Sequence, residues 1–261
     1  MPKIFFIACF ILSQVLLSSS TNIECNFQGS ELYPVIGYVY LCSIDTDPSI
    51  TTQKSAVINT IDGLATPKRT YNFVHGFFAS EKTIHFFPKG LNNFFRHIEF
   101  IKVERCGLKV IHQSDLEPFV NLLYFDLSYN SIEVIEEGLF SYNPKLKAVG
   151  LWESKIIHID SKVFDSLNDL SCIWLDNVPC IGFNACEDDE KVRFGIGKVK
   201  KQCMNSKFLG FNRDVEELSN DAKILNSGAF NGKLQRFERK LNDSKLSGLF
   251  YLREKIDRLK I

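Results

Sequence analysis

Apolar residues return at a fixed interval of 24 along the middle of this chain. Counting frames from Val74, Ile98, Leu122, Leu146 and Leu170, the first, fourth and sixth slots are apolar every time. They read Val74/Phe77/Ala79, Ile98/Ile101/Val103, Leu122/Phe125/Leu127, Leu146/Val149/Leu151 and Leu170/Ile173/Leu175. Slots eleven and fourteen continue the rule with Ile84/Phe87, Leu108/Ile111, Ile132/Ile135 and Ile156/Ile159. At 45% hydrophobic composition, chance agreement at all these positions is roughly one in 10^8. The two-residue step between slots four and six predicts a strand with one buried side; slots three, five and seven then face the other way. A period of this length predicts stacked units, each hiding the apolar edge of its neighbour.

The flanks read differently. Residues 1–20 carry Lys3, the apolar run from Ile4 to Leu17, and Ser18-Ser19-Ser20, the layout of a cleaved export signal. An uncleaved anchor is the competing reading, but the run is shorter than the about 20 residues a membrane helix needs. Residues 21–73 are expected to form an N-terminal cap and a degenerate first coil. The alternation Tyr38-Val39-Tyr40-Leu41-Cys42-Ser43-Ile44 predicts a strand there, and a Cys25–Cys42 bridge would pin it to the mature N-terminus. Residues 45–73, with Pro48 and Pro67, read as a loop with a weak cluster of Val57, Ile58 and Ile61. The repeats occupy 74–181.

Over 182–203, Val192, Ile196, Val199 and Cys203 share one face of a predicted capping helix. A Cys180–Cys203 bridge would fasten it, and the run Glu187-Asp188-Asp189-Glu190 complements the helix dipole more simply than it builds a calcium site. Residues 204–261 change character. Leu234/Phe237/Leu241 and Leu249/Leu252/Ile256/Leu259, divided by Gly248, predict one or two amphipathic helices with a basic excess over 233–261. The sequon Asn242-Asp243-Ser244 marks Asn242 as a glycosylation acceptor facing solvent.

The residues Cys25…Cys42, Phe87-Pro88-Lys89-Gly90-Leu91-Asn92-Asn93-Phe94-Phe95, the five frames and Cys180…Cys203 carry a resemblance. Over about residues 23–203 the chain resembles the extracellular leucine-rich repeat family, and within it small secreted insect proteins. The resemblance implies an α/β fold: a curved leucine-rich repeat solenoid with parallel strands on its concave face, disulfide-bonded caps and a C-terminal helical tail. One feature departs from the family, which usually places Asn in slot nine. That slot reads Lys82, Cys106, Asn130, Ser154 and Val178, so the polar ladder should be thin, with Cys106 a buried thiol standing in for Asn.

Charge and cysteines narrow the setting. Lys and Arg number 31 against 31 Asp and Glu, so no global field recruits nucleic acid or membrane. Of eight cysteines, Cys9 lies in the signal, and the seven that remain leave an odd thiol in a disulfide-permissive compartment. A Cys172–Cys186 bond is open, as is the state of Cys106.

No catalytic or metal constellation is found, and no cofactor is expected. His75, His85, His97, His112 and His158 fall in unrelated slots. Gly195-Ile196-Gly197-Lys198 fails as a phosphate loop, because Val192 and Val199 replace its first Gly and its Ser/Thr.

The concave face is the candidate site. Slots three, five and seven place Phe100, Lys102, Tyr124, Asp126, Trp152, Trp174 and Asp176 there, with Tyr129 and Glu153 just beyond. Small Ala148 and Gly150 predict a dent walled by Tyr124, Trp152 and Trp174, with Asp126 as a polar contact. The plainer reading is that these aromatics pack on one another. The expected function is a secreted binding module, not an enzyme, that recognises an extracellular protein or glycan in immunity or adhesion. The alternative is a structural protein that oligomerises through residues 233–261. No contact with nucleic acid or membrane is expected.

Overall fold

The computed structural model describes residues 20–32, 36–44, 57–63, 71–224, 227–244 and 249–259. The chain enters through β1 (Ser20–Glu24), β2 (Asn26–Leu32), β3 (Gly37–Ile44) and β4 (Val57–Asp62). β1 pairs parallel with β4, and β2 pairs antiparallel with β3. The strand β4 corrects the reading of Val57, Ile58 and Ile61 as part of a loop: Ile58 and Ile61 are buried because β1 supplies a partner for their backbone. The signal reading of residues 1–20 lies outside the described residues except for Ser20, as do the 45–56 part of the loop, Pro67 and Gly248.

Each later frame opens with a strand. These are β5 (Gly76–Ser80), then α1 (Leu91–Phe94), β6 (Phe100–Glu104), α2 (Gln113–Leu116), β7 (Tyr124–Asp126), β8 (Val134–Ile135), β9 (Ala148–Gly150), β10 (His158–Ile159), β11 (Cys172–Trp174) and β12 (Asn184–Cys186). One eight-stranded sheet runs in the order β12-β11-β9-β7-β6-β5-β3-β2. From β3 to β11 the pairing is parallel, and Gly76, Phe100, Tyr124, Ala148 and Cys172 stand side by side in one register. The two edges are closed by antiparallel partners, β2 at one end and β12 at the other. An antiparallel return needs only a short connection, whereas another parallel strand would need a full crossover.

The apolar frame explains the core. None of the apolar residues named above for slots one, four, six, eleven and fourteen is more than 7% exposed. Slot eight closes each strand with a non-glycine residue in the left-handed region: Glu81, Arg105, Tyr129, Glu153 and Asn177 have φ between 51° and 57°. That conformation costs roughly 1–2 kcal/mol per residue. Backbone hydrogen bonds hold it: the slot-eight N–H donates to the slot-seven carbonyl of the next frame in Tyr129→Trp152 (3.0 Å) and Glu153→Asp176 (2.9 Å).

Three disulfides join Cys25 to Cys42, Cys172 to Cys186 and Cys180 to Cys203, leaving Cys106 as a free, buried thiol. The helix α3 (Asp189–Gln202) follows β12; Asp188 caps it by accepting the Lys191 N–H at 3.0 Å. Val192, Val199 and Cys203 are buried on its inner face.

Three more helices fold back on the outer side: α4 (Ser206–Ile224), α5 (Ser227–Asp243) and α6 (Leu249–Asp257). Their apolar residues Phe208, Phe211, Val215, Leu218, Phe230, Leu234, Phe237, Leu241, Tyr251, Leu252 and Ile256 form a second core with Val110 and Val134. Val110 and Val134 occupy slot thirteen, together with Phe86, whose ring meets Phe250 at 6.0 Å. At the far end of that line the His158 ring meets Phe208 at 4.8 Å and accepts the Asn205 N–H at 3.2 Å.

Candidate functional site on the open face of the sheet

The helices cover the outer side, so the opposite side of the parallel sheet is the one left to consider. Strand alternation places the side chains of slots three and five on it. Aromatic contacts cross the strands in a line: Phe100 stacks on Tyr124 at 4.9 Å, and Tyr124 meets Trp174 at 5.9 Å over the fully buried Ala148. At one end the line sinks beneath the N-terminal hairpin, where Val39, Leu41 and Phe100 form their own buried cluster. Gly76 makes this closure possible, since a Cβ there would lie 2.8 Å from Leu41 Cβ and 2.9 Å from Val39 Cγ1.

Two of the sequence-derived site residues are therefore corrected. Phe100 is 2% exposed and Asp126 is 3% exposed, so neither offers surface to a partner. Asp126 is instead consumed by neighbours: its Oδ1 accepts the Ser128 N–H at 2.9 Å and the Ser128 hydroxyl at 2.5 Å, and its Oδ2 accepts the Tyr124 hydroxyl at 3.3 Å. The expected dent is filled. A Cβ on Gly150 would stand 2.7 Å from Asp126 Oδ1, which shows that the carboxylate leans into the space the missing side chain leaves. Burial, reinforced by Asp126 and Glu104, raises the Tyr124 pKa and keeps the phenol protonated.

The rest of the face divides by charge. Around β6 two cations meet two acids: Lys102 Nζ lies 3.0 Å from Glu104 and 3.8 Å from Asp126, and Arg105 lies 3.6 Å from Glu104. Around β9 and β11 the acids stand without cations. Among the described residues Glu153 and Asp176 take part in no ion pair; Glu153 accepts from the Asn177 amide at 2.7 Å, and Asp176 accepts from the Asn184 amide. Trp152 and Trp174 flank this end and are half-buried, as are Lys102, Tyr124, Tyr129 and Glu153, while Asp176 is exposed. The Tyr129 ring meets Trp152 edge-on at 4.7 Å and carries the Arg105 guanidinium 3.8 Å from its centroid.

Sequence reasoning missed two groupings that folding assembles from distant slots. His112 Nε2 lies 2.9 Å from Glu254 on α6, its Nδ1 lies 3.9 Å from Glu136, and Lys255 reaches Glu136 at 2.8 Å. The second is a cleft of 780 Å³ between the start of β11 and α3, lined by Lys147, Asp169, Leu170, Ser171, Arg193 and Ile196 among others. Its rim mixes both charge signs and favours no ligand class. Among the described residues no group of three or more His, Cys, Asp or Glu could hold a metal ion, and no helix is long and apolar enough to cross a membrane. Asn242 is exposed at the end of α5, with its side-chain oxygen accepting from Arg253 at 2.8 Å.

No protein-family model and no curated protein matches the chain. Among solved structures it is similar to a chain of the Toll–Spätzle complex, described as a molecular hub in Drosophila development and innate immunity. The likeness covers 47% of this chain and 17% of that one, at 15% identity and a TM-score of 0.39, so this chain spans under a fifth of that relative's length.

Proposed function

We propose that this chain is a secreted leucine-rich repeat solenoid that recognises an extracellular protein through the open, concave face of its sheet. The observation that carries the reading is the asymmetry of the two sides. Helices α4–α6 cover the outer side with their own apolar residues, while Tyr124, Tyr129, Trp152 and Trp174 stay partly accessible on the other. Rigid aromatic rings on a stiff sheet supply contact area at low entropic cost, which is how binding hot spots are built. Export is supported by three disulfides, which persist in oxidising compartments. The solenoid reading is supported by the common register of the parallel strands at 24-residue steps.

The competing reading, assembly through residues 233–261, has less to draw on. Leu234, Phe237, Leu241, Leu252 and Ile256 are buried within the chain and are not offered to a second copy. Site-specific photo-crosslinking in extracellular fluid of the producing organism tests the proposal. A crosslinker at Lys102 on the open face should give a discrete protein adduct that Trp174→Ala weakens. An adduct obtained only from a crosslinker at Arg236 on α5 would overturn it.

A further inference from the structure

The acidic, indole-bearing end of the open face admits a narrower reading, which rests on the recognition role just proposed. We propose that Trp152, Glu153, Trp174 and Asp176 form a subsite for a cationic side chain, a guanidinium or ammonium group presented by a basic segment of the protein partner. Three observations converge on it.

The first is charge. Lys102 and Arg105 balance Glu104 and Asp126 at one end of the face. Among the described residues no cation balances Glu153 and Asp176 at the other, where both carboxylates bond to neutral amides. An acidic pair of this kind attracts a positive group over about a Debye length and rejects a negative one.

The second is the arrangement of rings. The backbone N–H of Glu153 donates to the carbonyl of Asp176 at 2.9 Å, and that of Leu151 donates to the carbonyl of Trp174 at 2.9 Å. These bonds set the backbones that carry the two acids and the two indoles on adjacent units, which offers an incoming cation both kinds of group. Indole is the strongest cation–π acceptor among the side chains.

The third is that the chain already makes this contact once. The Arg105 guanidinium lies 3.8 Å over the ring of Tyr129, which meets Trp152 edge-on. One frame further on, the slot that holds Arg105 holds Tyr129, and after that Glu153 and Asn177. No cation of that slot follows Tyr129, and the partner supplies the next one.

The test uses the folded protein and its intrinsic fluorescence, because its two tryptophans both belong to the subsite. Titration with a capped hexa-arginine peptide should give a saturable fluorescence change that weakens as salt rises. Capped hexaglutamate and an uncharged Gly/Ser hexapeptide should give none. The double substitution Glu153→Gln with Asp176→Asn keeps volume and hydrogen bonding, and should weaken hexa-arginine binding by about tenfold. Equal affinity in that variant, or no saturable change with hexa-arginine, would overturn the subsite. In either case a surviving adduct at Lys102 leaves the recognition role standing, with a partner that is not basic at this end. Loss of the adduct together with retained hexa-arginine binding would overturn the role and keep the subsite.

Discussion

Cys106 and Asn130 stand 24 residues apart and make the same pair of hydrogen bonds. The Asn130 amide donates to Val103 O at 2.7 Å and Ser128 O at 3.2 Å; the Cys106 thiol donates to Ala79 O at 3.7 Å and Glu104 O at 3.1 Å. In each case the acceptors lie 27 and 2 residues earlier in the chain. Asn130 does more. Its oxygen accepts the N–H groups of Cys106 at 3.1 Å and Leu108 at 3.0 Å, which a thiol cannot imitate. Asn130→Ala should therefore cost about 3 kcal/mol, since it strands several buried backbone groups. Cys106→Ala should cost about 1 kcal/mol. Urea unfolding of the disulfide-intact protein checks the ranking. Burial also raises the Cys106 pKa to about 11, so thiol reagents should fail to label it in the native state.

A second prediction concerns the filled dent. Gly150→Ala would place a methyl group against the Asp126 carboxylate, breaking its bonds to Ser128 or pushing the strand aside. The expected loss is about 1–3 kcal/mol, the usual range for overpacking. Thermal unfolding of the variant measures it, and Gly150→Ala combined with Asp126→Ala should recover part of the loss.

Leu127 tests the frame itself. It is fully buried in slot six, and a carboxylate there has no partner. Leu127→Asp should cost several kcal/mol and prevent secretion of folded protein. Secretion yield from a eukaryotic host is the measurement, with Leu127→Met as the tolerated control.

His112 makes the docking of α6 depend on pH. Burial alone would lower its pKa, but the neighbouring carboxylates of Glu136 and Glu254 outweigh burial and raise it to about 9. The protonated ring donates from Nε2 to Glu254 and faces Glu136 across 3.9 Å from Nδ1, and Arg258, near the same Nε2, pairs with Glu254. A raised folded-state pKa contributes stability that is complete below the ordinary value of about 6.5 and is lost as pH rises through about 9. Amide exchange over 249–257 should therefore lose protection between pH 7 and pH 10. In His112→Gln the protection should be lower at pH 7 and change less.

Removing residues 204–261 should not yield a well-behaved core. The deletion exposes Val110 and Val134 together with Phe86, a contiguous apolar line that α4–α6 now cover. Exposed patches of this type drive association. Size-exclusion chromatography should show aggregates for the truncated chain, and substituting all three residues with Ser should return it toward a monomer.

Much of the sheet was legible because burial acts on every frame alike. Slots one, four, six, eleven and fourteen face the same interior in each unit, so a one-dimensional count finds them. The open face was harder, since nothing in the row Phe100, Tyr124, Ala148 says that Val39 and Leu41 close over one end. That contact joins an N-terminal hairpin to a strand far along the chain. The bend of Asp126 into the space at Gly150 is equally a property of neighbours and not of either residue. The helix α4 is a different case. Phe208, Phe211, Val215 and Leu218 step by three, four and three, a helical signal that was present but not singled out. The strand β4 left too short a trace, because its stability comes from β1 and not from its own pattern.

The outer line from Phe86 through Val110 and Val134 to His158 has a fixed number of stations. Phe208 sits on the last and Phe250 on the first, so the returning helices act as a gauge laid along four consecutive frames. A variant carrying one extra 24-residue insert would leave a greasy station bare, and one with a frame removed would let the gauge overhang. The copy number of the middle of this protein is thus written a second time, in its last third.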